Sequence, residues 1–413
     1  MPTLKPMSFA LLAALLATPA AHAADPAAAA PSAAPARIGV ASFNLAWAGS
    51  QQDFDRQNAV CKTVSWCDTR PRRQPGQASI TDEAVQVARQ CVADTERLAG
   101  GRAQAAMMAP CNAYQGRGAP VALTSSDYAA KLAGLQATID RLIETEGVRV
   151  LAFQEVRSAE VVKQLLGRHA ARFGVCDAPH DGFQTLAFAW DRGLGQDGRC
   201  SVDTGMAVVD NPADPDARKV RPGLALELKV AGRPISFLNV HLKSGCANIV
   251  PTPVYQARLL DDPAPACQVL NRQVAPLERW LDGVAKRSPD YVLLGDFNRR
   301  IDEEAAAGIR PEQVRADGSN PAGVPAQDKD GKVATRYLWQ ELNDGGRSLQ
   351  QVLLTGVEAG CKGFSGLDHI VLSGALAARQ PADLGSRKTA VVRAPDQRID
   401  TSDHCPRSVT LSF

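Results

Sequence analysis

The sequence predicts an α+β fold in which strands and helices alternate along most of a 413-residue chain. Two observations carry that prediction. Short apolar runs with β-branched character recur from residue 38 onward, as in Val150-Leu-Ala-Phe153 and Tyr291-Val-Leu-Leu294, and read as buried strands. Longer segments between them carry apolar residues at helical spacing. A third observation bears on function, because most of these runs end in amides, carboxylates or histidines.

Taken in order, the first strand is expected over Ile38–Asn44 and ends in an amide. Amphipathic helices are expected over Asp82–Leu98 and Ser126–Glu146, then a strand over Val150–Glu155 and an outer helix over Arg157–Arg168. Thr204–Val209 and Leu224–Val230 read as strands with one or both faces buried. In Pro234–Leu242 the period of two sets Asn239 and His241 on one sheet face. Cys267–Arg287 has Val269, Leu270, Val274, Leu277, Trp280, Leu281 and Val284 at near-helical spacing, and Pro276 predicts a kink or break within it. Tyr291–Leu294, Gly366–Leu372 and Ser408–Phe413 complete the strands.

Three stretches interrupt this alternation, near 48–125, 245–266 and 301–334, and read as insertions into one domain spanning 37–413. The N-terminus has Lys5, an apolar run from Phe9 to Leu16 and a small-residue site at Ala21-His-Ala23, which fits a secretory signal peptide over 1–23. Residues 24–36 then read as a disordered Ala/Pro-rich spacer. No stretch is read as a membrane anchor, and a soluble product in a bacterial periplasm or outside the cell is expected. All ten cysteines follow Ala23. Disulfides are therefore expected, with sequence-local pairing as the working rule: Cys61–Cys67, Cys91–Cys111, Cys176–Cys200 and Cys246–Cys267, leaving Cys361–Cys405. A cysteine zinc site is disfavoured by the lack of any Cys-x-x-Cys. With 46 basic and 44 acidic residues the chain is nearly neutral, unlike a strongly basic nucleic-acid binder. A nuclease that makes only transient phosphate contacts is compatible with that.

Each polar cluster has a bland reading when taken alone. Gly295-Asp-Phe-Asn298 is a common turn sequence, Asn239-x-His241 fits a satisfied buried histidine, and Ser402-Asp-His404 fits a turn before the last strand. Their order changes the balance. Asn44, Gln154-Glu155, Asn239-x-His241, Gly295-Asp296-x-Asn298, Asp368-His369 and Ser402-Asp403-His404 together resemble the endonuclease/exonuclease/phosphatase superfamily, over roughly residues 37–413.

That resemblance implies a four-layer α/β/β/α sandwich of two mixed sheets, the deoxyribonuclease I-like fold, with an active site at one rim of the sheets. It implies a metal-dependent phosphoesterase in which Glu155, Asn44 and Asp403 hold Mg²⁺ or Mn²⁺. His404 serves as base or phosphate clamp with Asp368 fixing its tautomer, His241 faces the phosphorus from the other side, and Asp296 and Asn298 position water or phosphate. The roles of Asp296 and His404 are open to exchange. One position departs from the pattern: where deoxyribonuclease I-type members have a glutamate before a proline to pair with the strand histidine, this chain has Arg221. An arginine cannot accept the imidazole N–H, so Arg221, with Arg299 and Arg300, is read as a phosphate contact. The expected substrate is a phosphodiester, foremost extracellular DNA or RNA. The alternatives are an inositol-phosphate-type phosphomonoesterase, favoured by Gly295-Asp-Phe-Asn-Arg-Arg300, a sphingomyelinase-like phospholipid phosphodiesterase, and a non-catalytic binding module of the same fold.

Overall fold

The computed structural model describes residues 37–72, 77, 79–114, 122–194, 198–212, 217–249, 257–260, 262–307, 337–343 and 347–413. The expected signal peptide and spacer, part of the 245–266 insertion and most of the 301–334 insertion lie outside the described residues. One compact unit spans Ala36–Phe413.

In chain order the strands are β1 (Arg37–Ala48), β2 (Val148–Val156), β3 (Phe173–Asp177), β4 (Thr185–Asp191), β5 (Arg199–Asp203), β6 (Gly223–Val230), β7 (Arg233–His241), β8 (Tyr291–Asp296), β9 (Leu349–Gln351), β10 (Leu353–Val357), β11 (Asp368–Ser373), β12 (Gly385–Lys388) and β13 (Arg407–Ser412). They form a seven-stranded sheet, β10-β12-β13-β1-β2-β4-β3, and a six-stranded sheet, β5-β6-β7-β8-β11-β9. Both are mixed, since β1 with β2 and β7 with β8 run parallel while β13 with β1 and β8 with β11 run antiparallel. Side chains of the two inner faces meet in one core: Val40, Val150 and Phe188 from one sheet, Leu226, Phe237 and Leu294 from the other. Helices Ser125–Glu144 and Ala159–Leu166 cover the outer face of the larger sheet. Helix Pro265–Arg287 covers the smaller. The result is the expected α+β sandwich of two mixed sheets with helices outside each.

Three local expectations need correction. Thr204–Met206 is a 3₁₀ turn, and Val209 joins a single bridge to Lys219 where a strand was expected. Asp203 explains the turn, because its side chain accepts the Met206 N–H and caps it. Helix Pro265–Arg287 runs on past Pro276, so of the expected kink or break the break does not occur. Burial of Val269, Leu270, Val274, Leu277 and Leu281 along one face outweighs the missing hydrogen bond. In the first insertion the disulfides are Cys61–Cys111 and Cys67–Cys91, not the sequence-local pairs. Helix Gln51–Thr63 aims Cys61 inward beside Phe54, Trp66 and Tyr128, where Cys111 lies, and the left-handed residues Ser65 and Trp66 then turn the chain away. Cys67 thus meets Cys91 on helix Asp82–Ala99. The remaining pairs, Cys176–Cys200, Cys246–Cys267 and Cys361–Cys405, are as expected. Among the described residues no helix is long and apolar enough to cross a membrane.

Candidate active site

The site is a continuation of the core by other means. Along β1 the inward positions read Ile38, Val40, Ser42 and Asn44; along β7, Ile235, Phe237, Asn239 and His241; along β8, Val292, Leu294 and Asp296. At one end of the sandwich the apolar series therefore gives way to polar residues on the same faces. Register aligns them across strands, with His241 beside Asp296 and Asp296 beside Asp368. Gly295 makes this approach possible, since a Cβ there would lie 2.0 Å from the Val240 carbonyl oxygen.

Glu155 has the wrong parity to join Gln154 on that face. A bulge resolves this: the pairing of β2 shifts between Gln154 and Val156, and Glu155 takes φ +56°, in the left-handed region. Its carboxylate then lies with the others, so the strain coincides with a functional position.

Behind the rim a buried amide network ties the sheets together. Ser42 donates to Gln154 (3.3 Å), Gln154 Nε2 to Asn239 Oδ1 (2.7 Å), and Asn239 Nδ2 to the carbonyls of Phe153 (2.9 Å) and Ala187 (3.0 Å). These groups are satisfied within the protein and fix the sheets' relative position. In front of them Asn44 Nδ2 donates to Asp296 Oδ2 (3.0 Å) and Glu155 Oε1 (3.3 Å). His241 Nε2 faces the same two carboxylates at 3.7 Å from Glu155 and 3.5 Å from Asp296. His404 Nδ1 is 2.7 Å from Asp368 Oδ2, and its Nε2 is 4.0 Å from Asp296 Oδ2. Asn298 bridges back through its Nδ2 to the Leu242 carbonyl (3.0 Å), and its backbone N–H donates to Asp296 Oδ1 (2.8 Å). Asp403 stands at the mouth, its side chain 75% exposed and 3.9 Å from His404 Nε2.

Electrostatics separates these groups. Burial pushes Asp296 up to about 7 against the opposing pull of His404, and burial also raises Glu155. For His404 burial works against the charged form, yet the Asp368 carboxylate outweighs it by charge and hydrogen bond, and the imidazolium persists well above the usual range. Asp368 is conversely held below the usual carboxylate range, because the charge and hydrogen bond of His404 exceed the effect of burial. His241 goes the other way: burial, then the positive charges of Arg221, His404 and Lys243, drive it well below an ordinary imidazole.

The donor set fits a hard cation. Glu155 and Asp296 are two desolvated carboxylates sharing one amide donor, and removing such charges from water costs several kcal/mol per ion unless a counter-charge is supplied. Asp368 Oδ1 is buried without a hydrogen-bond partner, and Asp296, Asp368 and His404 offer ligand atoms within 4.8 Å of one another. This group shares no residue with Asn44, Glu155 and Asp403, the ligands expected from the sequence, although Asn44 donates to both Glu155 and Asp296. Oxygen-dominated donors suit Mg²⁺, Mn²⁺ or Ca²⁺ better than zinc.

Two arginines read as phosphate contacts are structural. Arg221 donates to the carbonyls of His241 (3.1 and 3.2 Å) and Leu242 (2.8 Å) and to Gln184 Oε1 (3.1 Å), which leaves it no fork for a phosphate. It braces the backbone of His241, while His241 Nδ1 is buried with no partner. Arg299 is fully buried against Glu304 (2.6 Å) and the carbonyls of Cys246 and Arg258. The third, Arg300, does reach the site: it lines a cavity of about 470 Å³ with Asn298, Asp368, Asp403 and His404.

The same cavity is lined by Lys388, which in the sequence belongs to the basic pair Arg387-Lys388 and is buried here, and by Arg258, Lys362 and Phe364, which sequence reasoning missed. A further one is Lys131, fully buried, whose Nζ donates to the carbonyls of Leu45 (2.9 Å) and Thr401 (2.5 Å) and so ties the His404 loop to β1. A signal existed for Lys131 alone, because it falls in the buried series Tyr128, Leu135, Thr138, Leu142 at helical spacing.

No known family profile matches the chain, and no curated protein does. Among solved structures it is similar to an endonuclease/exonuclease/phosphatase family protein from Bacteroides thetaiotaomicron, at 12% identity and TM-score 0.45, over 92% of this chain and 96% of that one. It is similar to the human Nocturnin catalytic domain with bound sulfate at 14% identity and TM-score 0.40, over 68% and 87% of the two chains. D. rerio TDP2 complexed with a single-strand DNA product aligns at 14% identity and TM-score 0.40, over 68% of this chain and 92% of that one.

Proposed function

We propose that the chain is a secreted, divalent-metal-dependent phosphodiesterase of the endonuclease/exonuclease/phosphatase type, acting on nucleic acid. One observation supports it above others: the His404–Asp368 pair stands opposite the half-buried Glu155 and the buried Asp296 and opens on a cavity edged by Arg258, Arg300, Lys362 and Lys388. A tetrahedral anion is the natural occupant of that arrangement. The signal-like N-terminus and five disulfides support export to an oxidising compartment.

Glu155 and Asn44 would hold Mg²⁺ or Mn²⁺, which leaves Asp296 to take up a proton and Asp368 to orient His404. When bound, such an ion neutralises phosphate charge and favours attack by water. In the rest of the reaction Asp296, with a proton affinity near neutrality, accepts a proton from the attacking water as its oxygen bonds to phosphorus. His404, cationic and oriented by Asp368, donates from Nε2 to a phosphoryl oxygen. Asn298 holds the Asp296 carboxylate in place. His241, neutral and carrying its proton on Nε2, donates toward the same face, and the ester P–O bond breaks on the side of the cation-lined cavity, where the leaving oxygen takes its proton from solvent.

Purified protein assayed against plasmid DNA, RNA, bis-p-nitrophenyl phosphate, p-nitrophenyl phosphate and sphingomyelin tests this directly. Cleavage of the diesters, abolished by EDTA and restored by Mg²⁺ or Mn²⁺, is the expected result. Turnover of the monoester or of sphingomyelin alone would retain the phosphoesterase and reject the nuclease.

A further inference from the structure

Phe364 has a position that the hydrolytic chemistry does not require. Phe364 is 46% exposed and lines the cavity beside His404 and Asp368. Two cations flank it, with the Arg300 guanidinium carbon 5.1 Å and Lys388 Nζ 5.8 Å from the ring centroid. The loop that carries it is held at several points. Lys388 donates to the Phe364 carbonyl (2.7 Å), the Cys361 N–H donates to the Glu358 carbonyl (3.1 Å), and the Cys361–Cys405 disulfide joins the loop to the residue following His404. An exposed aromatic ring kept rigid beside a catalytic pair costs no ordering on binding and gains whatever flat group lies against it.

We propose that Phe364 is a stacking platform for the nucleobase next to the scissile phosphate, with Arg300 and Lys388 meeting that nucleotide's own phosphate. The inference rests on the phosphodiesterase reading and names its substrate class. Charge and ring together discriminate among occupants. An inositol phosphate would engage the cations and has no π-face for Phe364, and a lipid surface calls for several exposed apolar side chains, whereas this cavity offers one ring among four cations. Every base has a π-face, so the contact is indifferent to sequence. Cleavage without strong sequence preference but with a requirement for a base follows from it.

The test uses binding, so that it stands apart from turnover. A single-stranded DNA pentamer with one 2-aminopurine is titrated into full-length protein carrying His404→Ala, with and without Phe364→Ala or Phe364→Trp. The expected results are quenching of the 2-aminopurine, a rise in Kd of about tenfold with Phe364→Ala, and recovery with Phe364→Trp. A pentamer with an abasic residue at the quenched position should bind equally well whether or not the protein carries Phe364→Ala. An unchanged Kd in Phe364→Ala, or an equal loss on the abasic pentamer, overturns the stacking site. Failure of the unmodified protein to cleave any phosphodiester would overturn the hydrolase reading separately, whatever Phe364→Ala does to binding.

Discussion

His241 and His404 belong to opposite sheets, converge on the same carboxylates, and are driven to opposite charge states. His404 comes from the loop before β13 and finds Asp368 at 2.7 Å; His241 ends β7 and finds an arginine behind its carbonyl and nothing at Nδ1. The imidazoles are chemically identical. Burial disfavours the cation in both; the Asp368 carboxylate overcomes it at His404, whereas at His241 burial prevails and Arg221 adds to it. Arg221 behind its carbonyl thus accompanies a neutral His241 that faces Glu155 at 3.7 Å and Asp296 at 3.5 Å.

The largest expected effects separate the two histidines by their coupling. His404→Ala and His241→Ala should each lower kcat by ~10²-fold or more. Asp368→Asn should match His404→Ala, and the double variant should be no slower than His404→Ala alone, because the two side chains act as one unit. His241→Ala combined with Asp368→Asn should instead multiply. Steady-state rates on a phosphodiester decide this, and a multiplicative His404/Asp368 pair would dissolve the distinction.

The arginines extend the comparison to a smaller effect. Arg221→Met should destabilise the fold by ~1–3 kcal/mol, since the His241 and Leu242 carbonyls lose buried donors, and should lower kcat through His241. Arg300→Met, at the cavity edge, should leave stability within about 0.5 kcal/mol. Its effect should be a KM increase of about tenfold, as for one lost charge-assisted contact. Denaturant melts with kinetics on the same two proteins check both. A large KM effect from Arg221→Met with normal stability would restore it as a phosphate ligand.

The same arginines show what was legible in the sequence. Strands and outer helices follow from local periodicity, whereas Asn44, His241, Asp296, Asp368 and His404 form a group only through the resemblance of their motif order to a known superfamily. The side to which a long side chain turns is not local. Arg221, Arg299 and Arg300 carry the same guanidinium near the same rim, and only tertiary packing sends two of them to backbone carbonyls and one to the cavity. The disulfides of the first insertion failed for a related reason. Cys61 and Cys67 are neighbours in sequence, but the helix face carrying Cys61 and the left-handed turn after it point them to different partners. Phe364 had no signal, because an isolated phenylalanine in a Gly-rich loop reads as an ordinary surface residue.

The smallest effect, and the most direct reading of charge state, is on stability against pH in metal-free protein. His404 has a raised folded pKa, so its pairing with Asp368 stabilises fully below the unfolded value of about 6.5 and is lost as pH rises through the folded value. His404→Asn should therefore cost most near pH 6 and progressively less in alkali. His241 has a depressed folded pKa, so the unfolded chain binds the extra proton and the native state loses stability as pH falls below about 6.5. His241→Asn removes that penalty, and its cost should shrink toward acid, the reverse trend. Asp368, held low, adds stability that disappears only as pH falls through its own folded value, below the usual carboxylate range. Between about pH 5 and 8 Asp296, pushed up to about 7, titrates alongside the histidines, so each histidine's cost is read as the difference from the unmodified protein at the same pH. Urea midpoints for the three proteins in EDTA across that window should give two cost curves of opposite slope, and parallel curves would mean that the two histidines are not held in opposite charge states.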